Sequence, residues 1–116
     1  MQQNDTFIIL DKIEEYITLG IPFWRKHTLV LKKDLDNKIQ ELYNSLPQEL
    51  IENKNYLNMH KKENIFSLIN QMYLLVKQSK TFSKFVLINT ESLVQILDIA
   101  YTTLPDDIKY IKQINR

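Results

Sequence analysis

"TLVLKKDLDNKIQELYNSLPQEL", residues 28–50, returns 58 residues later as "VLINTESLVQILDIAYTTLPDDI", residues 86–108, without a gap. Leu29/Leu87, Leu35/Leu93, Tyr43/Tyr101, Leu46/Leu104 and Pro47/Pro105 are identical. Val30/Ile88, Ile39/Leu97, Ser45/Thr103, Glu49/Asp107 and Leu50/Ile108 are conservative. Upstream the displacement is 59, aligning Phe7/Phe66, Leu10/Ile69, Asp11/Asn70, Ile13/Met72, Ile17/Val76, Phe23/Phe82 and Arg25/Lys84, so one inserted residue reconciles the two. Helical periodicity alone would match many of these apolar positions. It does not require the shared order of helix, strand, helix and Leu-Pro, which is the mark of an internal repeat.

Each unit reads the same way. Phe7, Ile9, Leu10, Ile13, Tyr16 and Ile17 recur at helical spacing over residues 6–19, with Asn4, Asp5 or Thr6 available as cap and Gly20 as terminator. "GIPFWRKH" follows as a connection, and "HTLVL" (27–31) is too short and too apolar for a helix, which predicts a strand. The helical period resumes with Leu35, Ile39, Leu42, Tyr43 and Leu46. In the second unit Ile65 to Val76 repeats the first helix behind a possible Asn64 cap, "FVLIN" (85–89) repeats the strand, and Leu93 to Tyr101 repeats the last helix.

At Leu46-Pro47 the proline disfavours helix at Leu46 and suits the first position of a new one. That frame makes Leu46 the cap residue and puts Glu49 at the third helical position, able to reach the cap N–H. Leu104-Pro105 predicts a second corner, with Asp106 and Asp107 in the following first turn. Whether the helix from Pro47 runs on past "HKKEN" is open, with a break favoured. A lone ribbon or helical hairpin is marginal in water, so strand 27–31 is expected to pair with strand 85–89 about a pseudo-twofold axis. The expected fold is mainly α: one domain of two units, about 5–60 and 63–116, with at most a two-stranded β-ribbon.

The composition narrows the function. With 44% hydrophobic and 25% charged residues the chain reads as globular, and 15 basic against 14 acidic residues leave a formal charge of +1 with no overall field to attract nucleic acid or anionic lipid. The absence of cysteine excludes disulfides, thiolate zinc sites and a cysteine nucleophile. The first residues lack the pattern of a signal peptide, and "IFSLINQMYLLV" (65–76) is too short to span a bilayer.

The stretches "IPFWRKHTLV" and "SLPQEL" in the first unit, and "FVLINTESLVQIL" and "TLPDDI" in the second, resemble the short conserved region of bacterial and cyanobacterial DivIVA-like cell-division accessory proteins. Leu31 and Asn89 stand where that pattern has an acid. Where those proteins continue into a coiled-coil or polar tail, this sequence continues into its second copy. The resemblance implies a non-enzymatic adaptor or scaffold, linked to cell or organelle division, in the cytoplasm or plastid stroma.

No residue pattern points to an enzyme, a metal or a cofactor. His27 and His60 have no partner at ligand spacing, the serines lie in no nucleophile motif, and a single glycine cannot build a phosphate loop. "FWRKH" (23–27) is the most informative local feature. Phe23, Trp24, Arg25 and Lys26, with Phe82 and Lys84 as their echo, are the candidate partner-binding residues, since aromatics and arginine dominate binding hot spots. The alternative is that Phe23 and Trp24 close the core and the cations are solvated. Tyr43, Leu46, Pro47, Glu49, Tyr101, Leu104, Pro105 and Asp107 are the candidate corner residues, with each tyrosine expected to pack on the opposite half. "HKK" (60–62) is too small a basic cluster for a nucleic-acid module. The function expected is recognition of another protein by a monomer with an internal pseudo-twofold. The competing class is a small helical nucleic-acid-binding or regulatory module.

Overall fold

The computed structural model describes residues 2–114, and the side chains of residues 5–23 and 25–114 within them. Helix α1 (Gln2–Thr18) leads into strands β1 (Ile21–Trp24) and β2 (His27–Leu31), then α2 (Lys32–Asn44) and the short helices α3 (Gln48–Glu52) and α4 (Lys54–His60). The second half runs α5 (Ile65–Gln78), β3 (Thr81–Phe82), β4 (Phe85–Asn89) and α6 (Thr90–Ile114). The chain is mainly helical, as expected, with a small antiparallel sheet in the order β1-β2-β4-β3.

The sheet has four strands rather than two. Residues 21–24 and 81–82, read from the sequence as connections, form outer strands through turns at Arg25-Lys26 and Ser83-Lys84. Two-residue hairpins favour Asn and Gly because one or both turn residues take positive φ. Here Lys26 (φ 55°) and Ser83 (φ 56°) take it instead, so the usual turn signal is missing.

The central pair carries the symmetry that the repeat predicts. Leu29 faces Leu87, and the flanking pairs His27/Asn89 and Leu31/Phe85, like Thr28/Ile88 and Val30/Val86, exchange under a displacement of 58. The same operation relates the Lys32 N–H bond to the Lys84 carbonyl (3.0 Å) with the Thr90 N–H bond to the Lys26 carbonyl (2.7 Å). With the displacement of 59 that holds upstream, Tyr43 against Phe66 corresponds to Tyr101 against Phe7, both at 6.0 Å between ring centres though the first is edge-on and the second stacked, so each tyrosine does pack on the opposite half. The inserted residue is Phe23: Pro22 pairs with Thr28 and Trp24 with His27, leaving Phe23 as a bulge that β3 lacks. The register therefore sets Trp24 opposite the counterpart of Phe82's partner and Arg25 at the place of Ser83, one position away from the Phe23/Phe82 and Arg25/Lys84 alignment.

Helices α1, α2, α5 and α6 pack around one continuous cluster of buried side chains, including Leu10, Ile13, Leu35, Ile39, Leu68, Met72, Leu93 and Leu97. The inner face of the sheet closes this core with Thr28, Val30, Val86 and Ile88. Gly20 is needed where α1 meets the sheet: a Cβ there would lie 2.3 Å from Thr28 Oγ1 and 2.8 Å from Val30 Cγ1.

The two Leu-Pro sites do not share one geometry. At the first the chain turns: α2 ends at Asn44, and α3 begins at Gln48 with Pro47 as its cap residue. This is one position later than the spacing predicts, so Glu49 is the second helical residue, and Pro47 offers no N–H for it to reach. At the second, α6 continues without interruption through Pro105. The missing N–H there costs about 3 kcal/mol in a helix interior. The buried Leu104, Ile108 and Ile111, and the contacts of Asp107, hold the helix on course. The expected break after α4 is present, at residues 61–64, where Asn64 accepts from the Ser67 N–H and the Ser67 hydroxyl accepts from the Asn64 N–H.

Candidate protein-recognition surface

Alternation along β2 and β4 sends one set of side chains inward and the other outward. The outward set is His27, Leu29 and Leu31 on β2, and Phe85, Leu87 and Asn89 on β4, all half-buried. An antiparallel sheet with one wet face normally presents polar residues there. This one presents leucine and phenylalanine.

The outer strands extend the apolar area. Ile21 is opposite Leu29 and 60% exposed; Phe82 is opposite Phe85 and 38% exposed; Phe23, at the bulge, is 54% exposed. The rings of Phe23 and Phe82 lie 5.7 Å apart at 40°. Two strands separate β1 from β3, so the rings can meet only by leaning inward over β2 and β4. The extra residue at the bulge thus matters: it re-aims Phe23 across the face.

Charge is distributed unevenly around this face. Segments 19–33 and 79–90 contain Arg25, Lys26, Lys32, Lys33, Lys80 and Lys84 and no acid, so the near-neutral chain has a basic sheet and an acidic helical body. Lys26 pairs with Glu91 at 2.7 Å, which together with the Thr90 bond holds the first turn in its positive-φ conformation. The Lys80 ammonium lies 5.5 Å from the Phe82 ring centre and that of Lys84 6.0 Å from Phe85, so both edge the apolar area. Among the described residues no carboxylate pairs with Arg25, Lys80 or Lys84.

Of the candidate binding residues, the structure brings Phe23 and Phe82 together on one face, with Arg25 and Lys26 in the turn at one end of the central ladder and Lys84 in the turn at the other. The Trp24 side chain lies outside the described residues. Ile21, Leu29, Leu31, Phe85 and Leu87 belong to the same face and were missed. Their signal was present, because "LVL" (29–31) and "FVLI" (85–88) are apolar at consecutive positions, which puts apolar side chains on both faces of each strand.

The corner residues are structural instead. Leu46, Pro47, Leu104 and Asp107 are buried. Asp107 accepts from the Lys61 ammonium at 2.6 Å and from the Ile65 N–H at 2.7 Å, so the second corner's acid ties down the start of α5 rather than its own helix. Burial pushes its carboxyl above the usual range, against the opposing pull of Lys61 and the Ile65 N–H. Tyr101 donates to Asp11, and burial, followed by that bond and the surrounding acids, raises its hydroxyl far above the ordinary tyrosine value.

His27 Nδ1 lies 2.5 Å from the Arg25 carbonyl, and His60 stacks on Tyr56 at 4.1 Å. Among the described residues no three His, Asp or Glu side chains are placed to hold a metal ion. An open groove of about 540 Å³ lies between α2 and α5, lined by Lys32, Asp36, Gln40 and Tyr73 among others. Lys32 pairs with Asp36 within α2 at 3.3 Å, and Lys77 lines the groove from α5. No described helix is long and apolar enough to cross a membrane.

No protein-family model matches the chain, and neither a curated protein nor a solved structure is significantly similar to it. The likeness to DivIVA-like proteins rests on the quoted stretches alone.

Proposed function

We propose that this protein is a non-enzymatic recognition module for another protein and that it binds through the outer face of its sheet. The observation that supports this is the apolar face itself, with Phe23, Phe82 and Ile21 exposed above half-buried leucines. Exposed apolar clusters with a polar rim mark interaction sites, and aromatic side chains at their centre carry most of the binding energy. A division-linked adaptor is one role such a module would fit, in keeping with the resemblance of its strand and corner stretches.

The test compares proteins cross-linked to the tagged chain in its own cells for wild type, Phe23→Ser/Phe82→Ser and a control, Met59→Ser, at a side chain 79% exposed on α4. Loss of the same bands in the double variant alone, with an unchanged melting temperature, is the expected result. Identical band patterns for all three would refute the reading.

The basic segments favour a second reading, a single-stranded nucleic-acid platform, because cations and exposed aromatics are also what such strands bind. Against it, the middle of the face is formed by Leu29, Leu31 and Leu87, which offer no ring for a base to stack on, and Phe23 and Phe82 pack on each other. Affinity for an oligonucleotide that falls steeply with salt would favour this second reading.

A further inference from the structure

We infer that the partner seated on the outer sheet face is an acidic amphipathic segment of another protein: a single stretch of chain with large apolar side chains flanked by Asp or Glu. This rests on the recognition reading above and adds the chemistry of the occupant.

Three observations select it. The first is charge: the face is bordered by Arg25, Lys80 and Lys84, which no described carboxylate neutralises, while the acids of the chain lie on the helical body. The second is the position of the two turns. Arg25-Lys26 adjoins the His27/Asn89 end of the central ladder and Ser83-Lys84 the Leu31/Phe85 end, so cations stand at both ends of the apolar strip. An occupant matches this with an apolar middle and acids on either side of it.

The third is size. Four strands of at most five residues cover roughly 300 Å² at ordinary strand spacing. A stable dimer of globular proteins buries about 800 Å² on each partner, so this face is too small to hold a second copy, whose equally basic rim would also repel it. A helix about 10 Å wide, or one extended strand, fits.

The experiment uses the full chain and a labelled helical peptide of about 16 residues with a leucine stripe flanked by glutamates, beside the same peptide with lysines in their place. Wild type should bind the acidic peptide saturably and about tenfold more tightly than the basic one, the effect expected of three modest exposed ion pairs. Arg25→Glu/Lys80→Glu/Lys84→Glu should reverse that preference, and Phe23→Ser/Phe82→Ser should abolish binding of both. If the serine variant fails to fold by circular dichroism, the charge reversal carries the test.

Equal affinity of wild type for the two peptides, lost in the serine variant, overturns the acidic partner and leaves the face as a recognition site. Binding that is indifferent to Phe23 and Phe82 overturns both. Failure to bind either peptide, or preferential binding of phosphatidylserine vesicles or of a single-stranded oligonucleotide, overturns the acidic partner. Dimerisation lost in the serine variant does so in favour of a second copy.

Discussion

Replacing Asp107 by alanine tests how the two long helices of the second half are locked together. The carboxylate is fully buried, accepts from the Lys61 ammonium at 2.6 Å and from the Ile65 N–H at 2.7 Å, and so joins α6 to the start of α5 across 42 residues of chain. Alanine leaves the Ile65 N–H without its acceptor, at about 1–3 kcal/mol for a buried group, and removes a charge-assisted bond worth about 1.5–3 kcal/mol. The two overlap, and the Lys61 side chain, 23% exposed, can relax toward water, so the sum is about 3 kcal/mol rather than the upper end for a broken buried pair. Asparagine keeps an acceptor for Ile65 and needs no charge desolvated, and should cost only about 1 kcal/mol.

The assay is urea unfolding followed by circular dichroism, read as a shift in midpoint at constant slope. The pH dependence has a definite sign. Burial raises the folded-state pKa of Asp107, so the folded chain holds this proton more tightly than the unfolded chain does. The contribution of Asp107 therefore declines as pH rises from its ordinary value of about 3.9 through the raised one. The penalty of Asp107→Asn should be largest at low pH and shrink across that window. An alanine variant within about 0.5 kcal/mol of wild type would refute this role for Asp107.

Leu46, 1% exposed at the turn between α2 and α3, should not tolerate Asp: burying an unpaired carboxylate should cost more than about 4 kcal/mol, whereas Pro47→Ala should cost about 1 kcal/mol, both measured by thermal unfolding. Pro105→Ala should do the opposite, raising stability by about 1–3 kcal/mol because it restores an N–H inside α6; a lower melting temperature would show that the helix depends on the proline. Gly20→Ala should cost about 2 kcal/mol through the clash with Thr28 and Val30, and a melting temperature equal to wild type would refute that close approach.

Much of this architecture was legible in the residues. The spacing of Leu10, Ile13 and Ile17, and of Ile65, Ile69 and Met72, marks helix faces that are indeed buried, and the repeat of Leu29 at Leu87 locates the centre of the sheet. Proline was legible as a local breaker but not in its tertiary setting. Pro47 and Pro105 stand in the same phrase, yet only the second is followed by a buried acid with a partner in another helix, and that long-range contact could not be read from local sequence. The outer strands escaped notice because Arg25-Lys26 and Ser83-Lys84 lack the Asn or Gly that usually takes positive φ in a hairpin, and in the first case that conformation is upheld by bonds to the distant Thr90 and Glu91. The candidate surface was half legible. Its aromatic and cationic members stood out in "FWRKH", while its leucines became visible only once strand alternation placed them outside the core.

The backbone register of the β2–β4 ladder is unchanged when its two strands trade places, a symmetry that strands from two separate molecules could also adopt. Helices α3 and α4 then act as a tether. They turn what would be a bimolecular encounter, governed by dilution, into an internal one at an effective concentration on the order of mM. The cost of bringing the second half to the first is thereby shared with chain connectivity, and closure of the sheet becomes independent of how much of the protein is present.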